Sequence, residues 1–440
     1  MRSLVPLCER QGAKAVLLAV LLGGFQPVFA QAEFVRIEYG WLKFLIGFTV
    51  IAGSVALAAY LWGRRRSKFK AGQYALAAAT HLFLWVVLIL TLYPVVYLLA
   101  ASFNRNNSIV SPPPREGALL FRSGVLPDPD KFSLAQYQYL LSETNILWYQ
   151  WLLVAVLVAG LLLALGFTIA ARGSGGDIVR LERWRGYAGW AIGLSALILV
   201  LSITPSQFYA VTEAGQRVES SSDKKIILHI RNTLLVSGMT GIMAVLLSTT
   251  AGYAFARMKF EGRYNSLLAF IFVQMFPGFM ALVAIFYLLS ALGLTNTFIG
   301  LILAYSGGAI AFGAWIFKGY LESISPSLEE AAMVDGTTRW GAFWRIILPT
   351  SVPMLLFIFL LQFIGTYSEF IMANILLTGE DRWTVGLALR ALAGNAGSGF
   401  NTQWGRLTAG AVLGSIPILL IFYSFQNALT GQYTEGGVKG

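Results

Sequence analysis

Residues 325–336 read SPSLEEAAMVDG, and the chain continues through residues 346–349, which read IILP, into a long apolar run. These letters predict a short helix in which Ser325 is the N-cap and Pro326 takes the first position, where a missing N–H costs nothing. Two glutamates follow near the positive end of the helix dipole, and Gly336 suits the left-handed conformation that ends a helix. Such a helix can lie on a membrane surface or dock into a groove of a partner, and these residues alone leave both interpretations open.

The composition around this stretch excludes a water-soluble globule. Hydrophobic residues make up 57% of the 440 residues and charged residues only 12%, whereas a soluble domain carries about 25% charged residues. The apolar surplus falls in runs long enough to cross a bilayer. Because the basic residues behind the net charge of +11 flank these runs instead of forming one patch, a nucleic-acid-binding protein is excluded as well. The sequence predicts a polytopic membrane protein.

Ten apolar segments carry this prediction. They lie at 15–30, 41–62, 81–103, 148–171, 187–205, 231–256, 265–291, 298–317, 353–377 and 408–428. The Lys and Arg residues of the short connections favour one side, so we expect a multi-pass protein of the cytoplasmic (inner) membrane with a cytoplasmic C-terminus. Residues 1–30, which include the first segment, have the three parts of a secretory signal peptide. The segment can be cleaved off or kept as a membrane anchor, and both interpretations stay open.

Sequence motifs typical of disulfides, metal sites and nucleotide binding are missing. The single Cys8 excludes a disulfide within the chain and a cysteine-based metal site, and His81 and His229 do not have the spacing of common zinc motifs. The dipeptide Gly-Lys does not occur, which excludes a Walker A phosphate loop. We therefore predict a non-catalytic chain without catalytic residues, metal or cofactor of its own. If the protein uses ATP with Mg²⁺, another chain must bind them.

The spacing of residues in the opening stretch resembles the EAA loop of ABC importer permeases. In that family the loop is a coupling helix that docks into a cleft of the ATP-hydrolysing subunit. The resemblance implies contact with this ATPase for eight residues, namely Glu330, Ala331, Ala332, Asp335, Gly336, Ile346, Leu348 and Pro349.

Further segments resemble carbohydrate importers of this family. Residues 253–257 (YAFAR), 274–277 (QMFP) and 318–320 (KGY) look like carbohydrate permeases, and residues 436–440 (GGVKG) look like the smaller membrane subunit of maltose/maltodextrin importers. The resemblance implies an all-α polytopic membrane bundle with the six core spans of a type I importer, plus extra N-terminal and inserted helices. It also implies transport of an oligosaccharide, first of all maltose or maltodextrin, with another sugar as the alternative.

The resemblance implies partners as well. They are a second permease subunit, a dimer of ATP-binding subunits, an extracytoplasmic sugar-binding protein, the oligosaccharide and membrane lipid. Two regions depart from the family pattern. Residues 1–75 form an N-terminal extension with the possible signal peptide and the span 41–62. The permease domain, residues 76–440, includes a predicted helical pair at 148–205 and the EAA loop at 318–352. The sequence assigns no function to the extension or to the helical pair, and lateral padding of the helical bundle is the simplest interpretation of both.

Polar residues inside the spans are candidates for the substrate path. Glu369 lies within an apolar run, where an ionised carboxylate is costly unless paired, so a structural hydrogen bond and a role in the path both stay open. Sugars need hydrogen-bonding groups beside aromatic faces, which adds Gln274, Phe276, Gln362 and Tyr367. An ion-coupled secondary transporter is the alternative function, but it needs internal repeats and several interior charges that the sequence does not show.

The last outer loop, 378–407, is the predicted contact of the binding protein. Its uncharged tip includes Gly394, Asn395, Gly397 and Gly399, unlike a solvated linker rich in charge. In the maltose family the corresponding loop enters the cleft of the binding protein and helps to displace the sugar. A plain flexible connection is the alternative interpretation.

Overall fold

The described part of the chain is built from helices and one short hairpin of strands. The computed structural model describes residues 40–66, 71–105, 132–173, 192–213, 215–275, 278–394 and 403–429. Several features named above lie outside these ranges, namely the possible signal peptide, Cys8, Phe276, Asn395, Gly397, Gly399 and residues 436–440. The prediction of an all-α membrane fold is confirmed.

The chain divides into two units, each described by itself. One unit comprises Met1–Gln138 with Thr402–Val412, and the other comprises Tyr139–Asn401 with Leu413–Gly440. In the first unit, helix α1 (Gly40–Arg66) packs against helix α2 (Ala71–Ser102), and the rings of Trp62 and Tyr74 meet edge to face at 5.7 Å. Helix α2 begins well before the predicted residue 81, because the alanine-rich segment ahead of the apolar run also favours helix.

The inserted segment contains two apolar helices. The elements here are α3 (Ala135–Leu141), α4 (Trp148–Gly173) and α5 (Ile192–Ser202). The Nε2 of Gln150 donates to the carbonyl and hydroxyl oxygens of Ser202, each at 3.1 Å. A Cβ at Gly160 would come within 2.7 Å of the Ile192 side chain. The two helices therefore approach closely, as membrane helices do at small residues.

A hairpin that the sequence pattern does not predict follows α5. Strands β1 (Tyr209–Val211) and β2 (Arg217–Glu219) run antiparallel, with Ala210 opposite Val218. The guanidinium of Arg217 lies 4.7 Å from the centre of the Tyr209 ring. Short 3-10 turns at Pro205–Gln207 and Ser222–Lys224 flank the hairpin. Strands of three residues are too short to show an alternating pattern in the sequence.

The second unit is built around one long helix, α6. The remaining helices are α6 (Ile226–Arg257), α7 (Arg263–Met275), α8 (Gly278–Ala291), α9 (Phe298–Ser323), α10 (Ser327–Val334), α11 (Arg339–Thr350), α12 (Val352–Ser368), α13 (Ile371–Leu376), α14 (Val385–Ala393) and α15 (Trp404–Leu429). Helix α6 packs against both α9 and α12. The backbone of α9 comes so close that a Cβ at Gly252 would lie 2.9 Å from the carbonyl oxygen of Ala314.

Two hydrophobic clusters lie along α6. The first includes Val236, Leu289, Leu301, Met372, Leu376 and Leu387. The second includes Tyr253, Phe317, Leu321, Phe343, Ile347 and Ile358. Since Val236 and Tyr253 belong to opposite halves of α6, the helix links two packed regions.

Two of the predicted spans are broken helices. Segment 265–291 contains α7 and α8, which are bent by 105° relative to each other across a short break. Segment 353–377 breaks after Ser368, where Glu369 has an extended backbone. In the described residues, five helices are long and apolar enough to cross a membrane. The number of spans rises to as many as seven if two bent pairs each count as one span, namely α7 with α8, and α11 with α12, which are bent by 75°.

Candidate coupling site and outer loop

Helix α10 has the start and the end that its sequence predicts. Pro326 has helical dihedral angles (φ −58°, ψ −22°), and the Oγ of Ser325 accepts a hydrogen bond at 3.3 Å from the backbone N–H two residues on. At the other end Gly336 has φ +84°. Its N–H donates to the carbonyl of Met333 at 3.1 Å, and the next N–H donates to that of Ala332 at 3.0 Å. This is the Schellman arrangement, which places its glycine in the left-handed conformation.

One face of α10 is attached to the end of α6 by a buried carboxylate. Glu329 is 7% exposed. Its Oε1 accepts from the Nε of Arg257 at 2.6 Å, and its Oε2 accepts from the hydroxyl of Tyr253 at 3.1 Å. The guanidinium of Arg257 also donates to the carbonyl of Ile324 at 2.9 Å. We call Tyr253, Arg257 and Glu329 the Arg257 anchor.

The other face of α10 is open to solvent. Glu330 and Ala331 are exposed, and so are the apolar side chains of Leu328 and Val334, the latter to 87%. Ala332 lies on the attached face with Glu329, three residues before it, and is only 7% exposed. Of the two alanines predicted to contact a partner, only Ala331 is therefore open to one.

The second half of the predicted loop is α11, an amphipathic helix. The Oγ1 of Thr338 caps its start by accepting from the backbone N–H three residues on, at 3.1 Å. Phe343 and Ile347 are buried, and the ring of Phe343 lies 4.7 Å from that of Tyr253. Of the remaining predicted ATPase contacts, Asp335, Gly336 and Pro349 are exposed, and Ile346 and Leu348 are half-buried. This helix therefore packs behind α10 and leaves the exposed face of α10 uncovered.

Glu369 lies at the break between α12 and α13. Its Oε1 accepts from the backbone N–H groups of Ile371 at 2.6 Å and Met372 at 2.9 Å. Its Oε2 accepts from the hydroxyl of Tyr305 on α9. Both carboxylate oxygens are engaged within the chain, which corresponds to the structural role among the two that the sequence left open.

The other candidates for the substrate path have separate partners. Gln274 is exposed, and its Nε2 donates to a backbone oxygen of α9 at 3.0 Å. Gln362 is half-buried and donates to the Oγ1 of Thr366 at 3.1 Å. Tyr367 is 5% exposed, and its hydroxyl donates to the carbonyl of Gly414 on α15 at 2.6 Å. Tyr367 thus joins two helices, whereas the two glutamines retain exposed surface.

The opposite end of α6 is attached to the predicted outer loop through a buried lysine. Lys225 directly precedes α6 and is 1% exposed, and its Nζ donates to Asp381 at 2.7 Å and to Glu219. Burial lowers the pKa of Lys225, but the two carboxylates outweigh it and raise the pKa above its ordinary value. The Nδ2 of Asn232 donates to the carbonyl of Asp381 at 2.8 Å, and the Oγ1 of Thr233 accepts from the first N–H of α14 at 2.7 Å. We call Lys225, Asn232, Thr233 and Asp381 the Lys225 anchor.

Asn296 holds the same loop from its other side. It has φ +55°, a conformation that asparagine tolerates better than most residues. Its Oδ1 accepts from the N–H groups of Thr378 at 3.2 Å and Gly379 at 3.1 Å, and its own N–H donates to the carbonyl of Leu376 at 2.7 Å. Arg382 donates to the carbonyl of Asn296. The first part of the loop is therefore fixed on both sides.

Much of this loop is helical, although the sequence analysis treats it as a connection. It contains a 3-10 turn at Glu380–Arg382 and then α14. Helix α14 buries Val385, Leu387, Ala388 and Leu392, an amphipathic pattern that the sequence analysis overlooked. The helix ends at Gly394, which has φ +85°. The other predicted contacts of the binding protein lie beyond it, outside the described residues.

The residues of both anchors are the functional candidates that the sequence analysis missed. Glu329 is treated there like its exposed neighbour, although its position three residues before Ala332 indicates a buried face. Lys225 carries no such signal, because its partner Asp381 is 156 residues away. Among the described residues, no group of three or more His, Cys, Asp or Glu side chains is placed to hold a metal ion.

Comparisons with known proteins identify relatives of this arrangement. The family described as "Binding-protein-dependent transport system inner membrane component" matches residues 244–433. The maltose/maltodextrin transport system permease protein MalG of Vibrio vulnificus (strain YJ016) is 39% identical over 270 residues, which are 60% of this chain and 83% of the relative. MalG of Escherichia coli (strain K12) is 41% identical over 238 residues, which are 53% of this chain and 78% of the relative.

A solved structure shows the same fold. It is that of a bacterial ABC transporter involved in the import of the acidic polysaccharide alginate, with a TM-score of 0.51 and 16% sequence identity. The similarity covers 80% of this chain and 95% of that chain. At this level of identity the likeness bears on the fold and not on the transported sugar.

Proposed function

The chain belongs to the binding-protein-dependent transport inner membrane permeases and is related to MalG, and on this premise we propose that it is the membrane-spanning permease subunit of an ATP-driven importer of maltose or maltodextrin. In this proposal a partner dimer binds ATP and Mg²⁺ and hydrolyses the ATP. A second permease subunit completes the path, and an extracytoplasmic binding protein delivers the sugar. The kinship does not favour the ion-coupled alternative.

The observation that carries this proposal is the two-sided character of α10. Glu329 fixes one face of the helix to α6, while Glu330 and Ala331 are exposed on the other. Exposed apolar side chains beside them, among them Val334, are typical of a surface that a partner covers. We assign the exposed face of α10, with Gly336 and Asp335 at its end, to the cleft of the ATPase subunit.

The orientation in the membrane follows from the basic residues of the short connections. They favour a cytoplasmic location for the loop 318–352 and for the C-terminus. The Arg257 end of α6 then faces the cytoplasm and the Lys225 end faces outward. The loop with Asn296 and the loop with Asp381 share the outer side in this arrangement, which agrees with the hydrogen bonds between Asn296 and the segment before Asp381.

For the substrate path we retain Gln274 and Gln362 as sugar contacts, because Gln274 is exposed and Gln362 is half-buried. Phe276 remains part of the proposal on the sequence alone. We assign Glu369 and Tyr367 to the support of the path, because their polar atoms are engaged by α13, α9 and α15. The tip that begins at Gly394 is proposed to contact the binding protein.

Uptake of radiolabelled maltose into proteoliposomes tests the proposal. The vesicles hold this chain together with its second permease and ATPase subunits, and the binding protein is added outside. We expect uptake only when ATP is enclosed and the binding protein is present. Uptake driven by a proton or sodium gradient without ATP would contradict the proposal, as would ATP-dependent uptake that excludes maltose and maltodextrins.

A further inference from the structure

We infer that α6 is a rigid connector whose two anchors tie the ATPase-docking helix α10 to the outer loop that meets the binding protein. The inference rests on the proposed function and adds specific positioning residues to it. They are Lys225 and Asp381 at one end, and Arg257 and Glu329 at the other. None of these side chains needs to touch the sugar or ATP.

The geometry of α6 suits such a role. Its 32 residues form one uninterrupted helix without proline, about 48 Å long, whereas the long helices α2 and α15 contain Pro94 and Pro417. A hydrocarbon core is about 30 Å thick, so the two ends of α6 reach opposite surfaces. Close packing against α9 stiffens the helix, since a Cβ at Gly252 would collide with the backbone of α9.

The Lys225 anchor is difficult to explain by stability alone. A lysine at a helix N-terminus is repelled by the helix dipole, and burial to 1% exposure removes the ammonium group from water. The carboxylates of Glu219 and Asp381 offset both costs. Of the three charges only the lysine is buried, and separating it from the carboxylates would leave a buried charge unpaired, which is strongly unfavourable. The pair therefore fixes where the outer loop is attached to α6.

The Arg257 anchor has the same property at the cytoplasmic end. Glu329 and the hydrogen-bonded Tyr253 are buried, so α10 cannot move away from α6 without leaving a charge unpaired. Glu330 remains exposed on the other face of α10 and is available to the ATPase. A shift of α10 is therefore passed to α6 and from there to Asp381. The coupling is reciprocal, so a binding protein on the outer loop acts on the ATPase through the same helix.

The test compares isosteric variants in the complete complex in proteoliposomes. Asp381→Asn breaks the outer anchor, and its matched control is Glu380→Gln in the same turn, where the side chain is exposed. Glu329→Gln breaks the inner anchor, and its control is the exposed Glu261→Gln, which follows α6. The readout is the ratio of ATPase activity with saturating maltose-loaded binding protein to basal activity. We expect each anchor variant to lower this ratio at least about fivefold and each control to retain it.

The double variant Asp381→Asn/Glu329→Gln shows whether the two anchors act through one helix or whether each has only a local effect. If one helix joins both anchors, breaking the second adds little, and the double variant matches the more severe single variant. Losses that multiply would overturn the inference, because independent sites are additive in free energy. Variants that behave like their controls would overturn it as well. If Asp381→Asn reduces assembly of the complex, Thr233→Val removes the hydroxyl that accepts from α14 and is measured instead, with the same expectation.

Failure of the proposed function gives a different result. In that case the unmodified complex shows no stimulation by the loaded binding protein. Stimulation of the unmodified complex, together with variants equal to their controls, overturns only the connector.

Discussion

The two ends of α6 are attached to their neighbours in different ways. At the Arg257 end, the buried Glu329 holds an eight-residue helix whose other face is open. At the Lys225 end, Lys225, Asn232 and Thr233 hold the loop from one side and Asn296 holds it from the other. A segment that docks into a partner keeps part of its surface unpaired, whereas a segment that must hold its shape alone pairs its polar groups within the chain.

The largest expected effect comes from two glycines that end helices in the same way. Gly336 follows α10 with φ +84° and Gly293 follows α8 with φ +67°, and neither has an atom within 4 Å of the place where a Cβ would be. An aspartate costs the same backbone strain at either position, up to about 1–2 kcal/mol. We expect Gly336→Asp to abolish maltose uptake, because its side chain also presses on the ATPase, with near-normal amounts of protein in the membrane.

Gly293→Asp is the matched control at the other end, with the same strain and no ATPase nearby. It is expected to retain uptake in the same assay, with immunoblots of the membrane fraction to compare the amounts of protein. Equal loss of uptake in both variants would show that strain, and not docking, explains the effect at Gly336.

Substitutions of two adjacent glutamates should distinguish docking of α10 to the ATPase from attachment of α10 to α6. Glu330 is exposed and Glu329 is buried against Arg257. We expect Glu330→Lys to reduce copurification of the ATPase at least about tenfold without changing the thermal unfolding of the isolated chain. Glu329→Gln is expected to lower the free energy of unfolding by about 1.5–3 kcal/mol, the value of a hydrogen bond to a charged group. Similar unfolding curves for both variants would contradict the two-sided description of α10.

The two carboxylates around Lys225 should contribute unequally to the free energy of unfolding. Asp381 is 41% exposed and Glu219 is 70% exposed, while the lysine between them is buried. We expect Asp381→Asn to lower the free energy of unfolding by about 1–3 kcal/mol, and Glu219→Gln by less than about 1 kcal/mol. Denaturant titrations of the purified chain in detergent measure both. The reverse order would show that the outer anchor is centred on the hairpin and not on the loop.

The smallest expected effect concerns the ion pair between Lys224 and Glu143, beside the outer anchor. The hydrogen bond from Lys224 lowers the pKa of Glu143, so its contribution to stability is present above the unfolded pKa of about 4.3 and is lost as the pH falls through the folded value. We expect Glu143→Gln to cost less than about 1 kcal/mol near pH 7. The difference between the two proteins should shrink as the pH falls below about 4.3, and a difference that stays constant there would contradict this account.

The sequence predicts the parts of this molecule that depend on local chemistry. Ser325, Pro326 and Gly336 define the two ends of α10 within a few residues, and the apolar runs locate the long helices. The relation to maltose/maltodextrin permeases, first indicated by the spacing from Glu330 to Pro349, is confirmed by the relatives.

The parts that the sequence does not predict depend on distant pairing. Asp381 meets Lys225 across 156 residues, and Glu329 meets Arg257 across 72 residues. Hydropathy also predicts α12 and α13 as one span, because the residues on both sides of the break are apolar. The hydrogen bonds from Glu369 to the start of α13 form only once the backbone is broken, so the sequence does not reveal them. Helix α14, in contrast, does not depend on distant pairing. Its amphipathic pattern is local and can be recognised in the sequence.

The central claim is that the exposed face of α10 docks into the ATPase while the Lys225 end of α6 faces the other side of the membrane. With Cys8 replaced by serine, Glu330→Cys or Glu219→Cys gives the chain a single thiol at one end of α6 or the other. A reagent with a thiol-reactive maleimide and a photoreactive benzophenone is attached to that thiol, and the assembled complex is illuminated. We predict a covalent adduct between this chain and the ATPase subunit for Glu330→Cys and none for Glu219→Cys. An ATPase adduct from the thiol at position 219, or none from the thiol at position 330, would contradict the account.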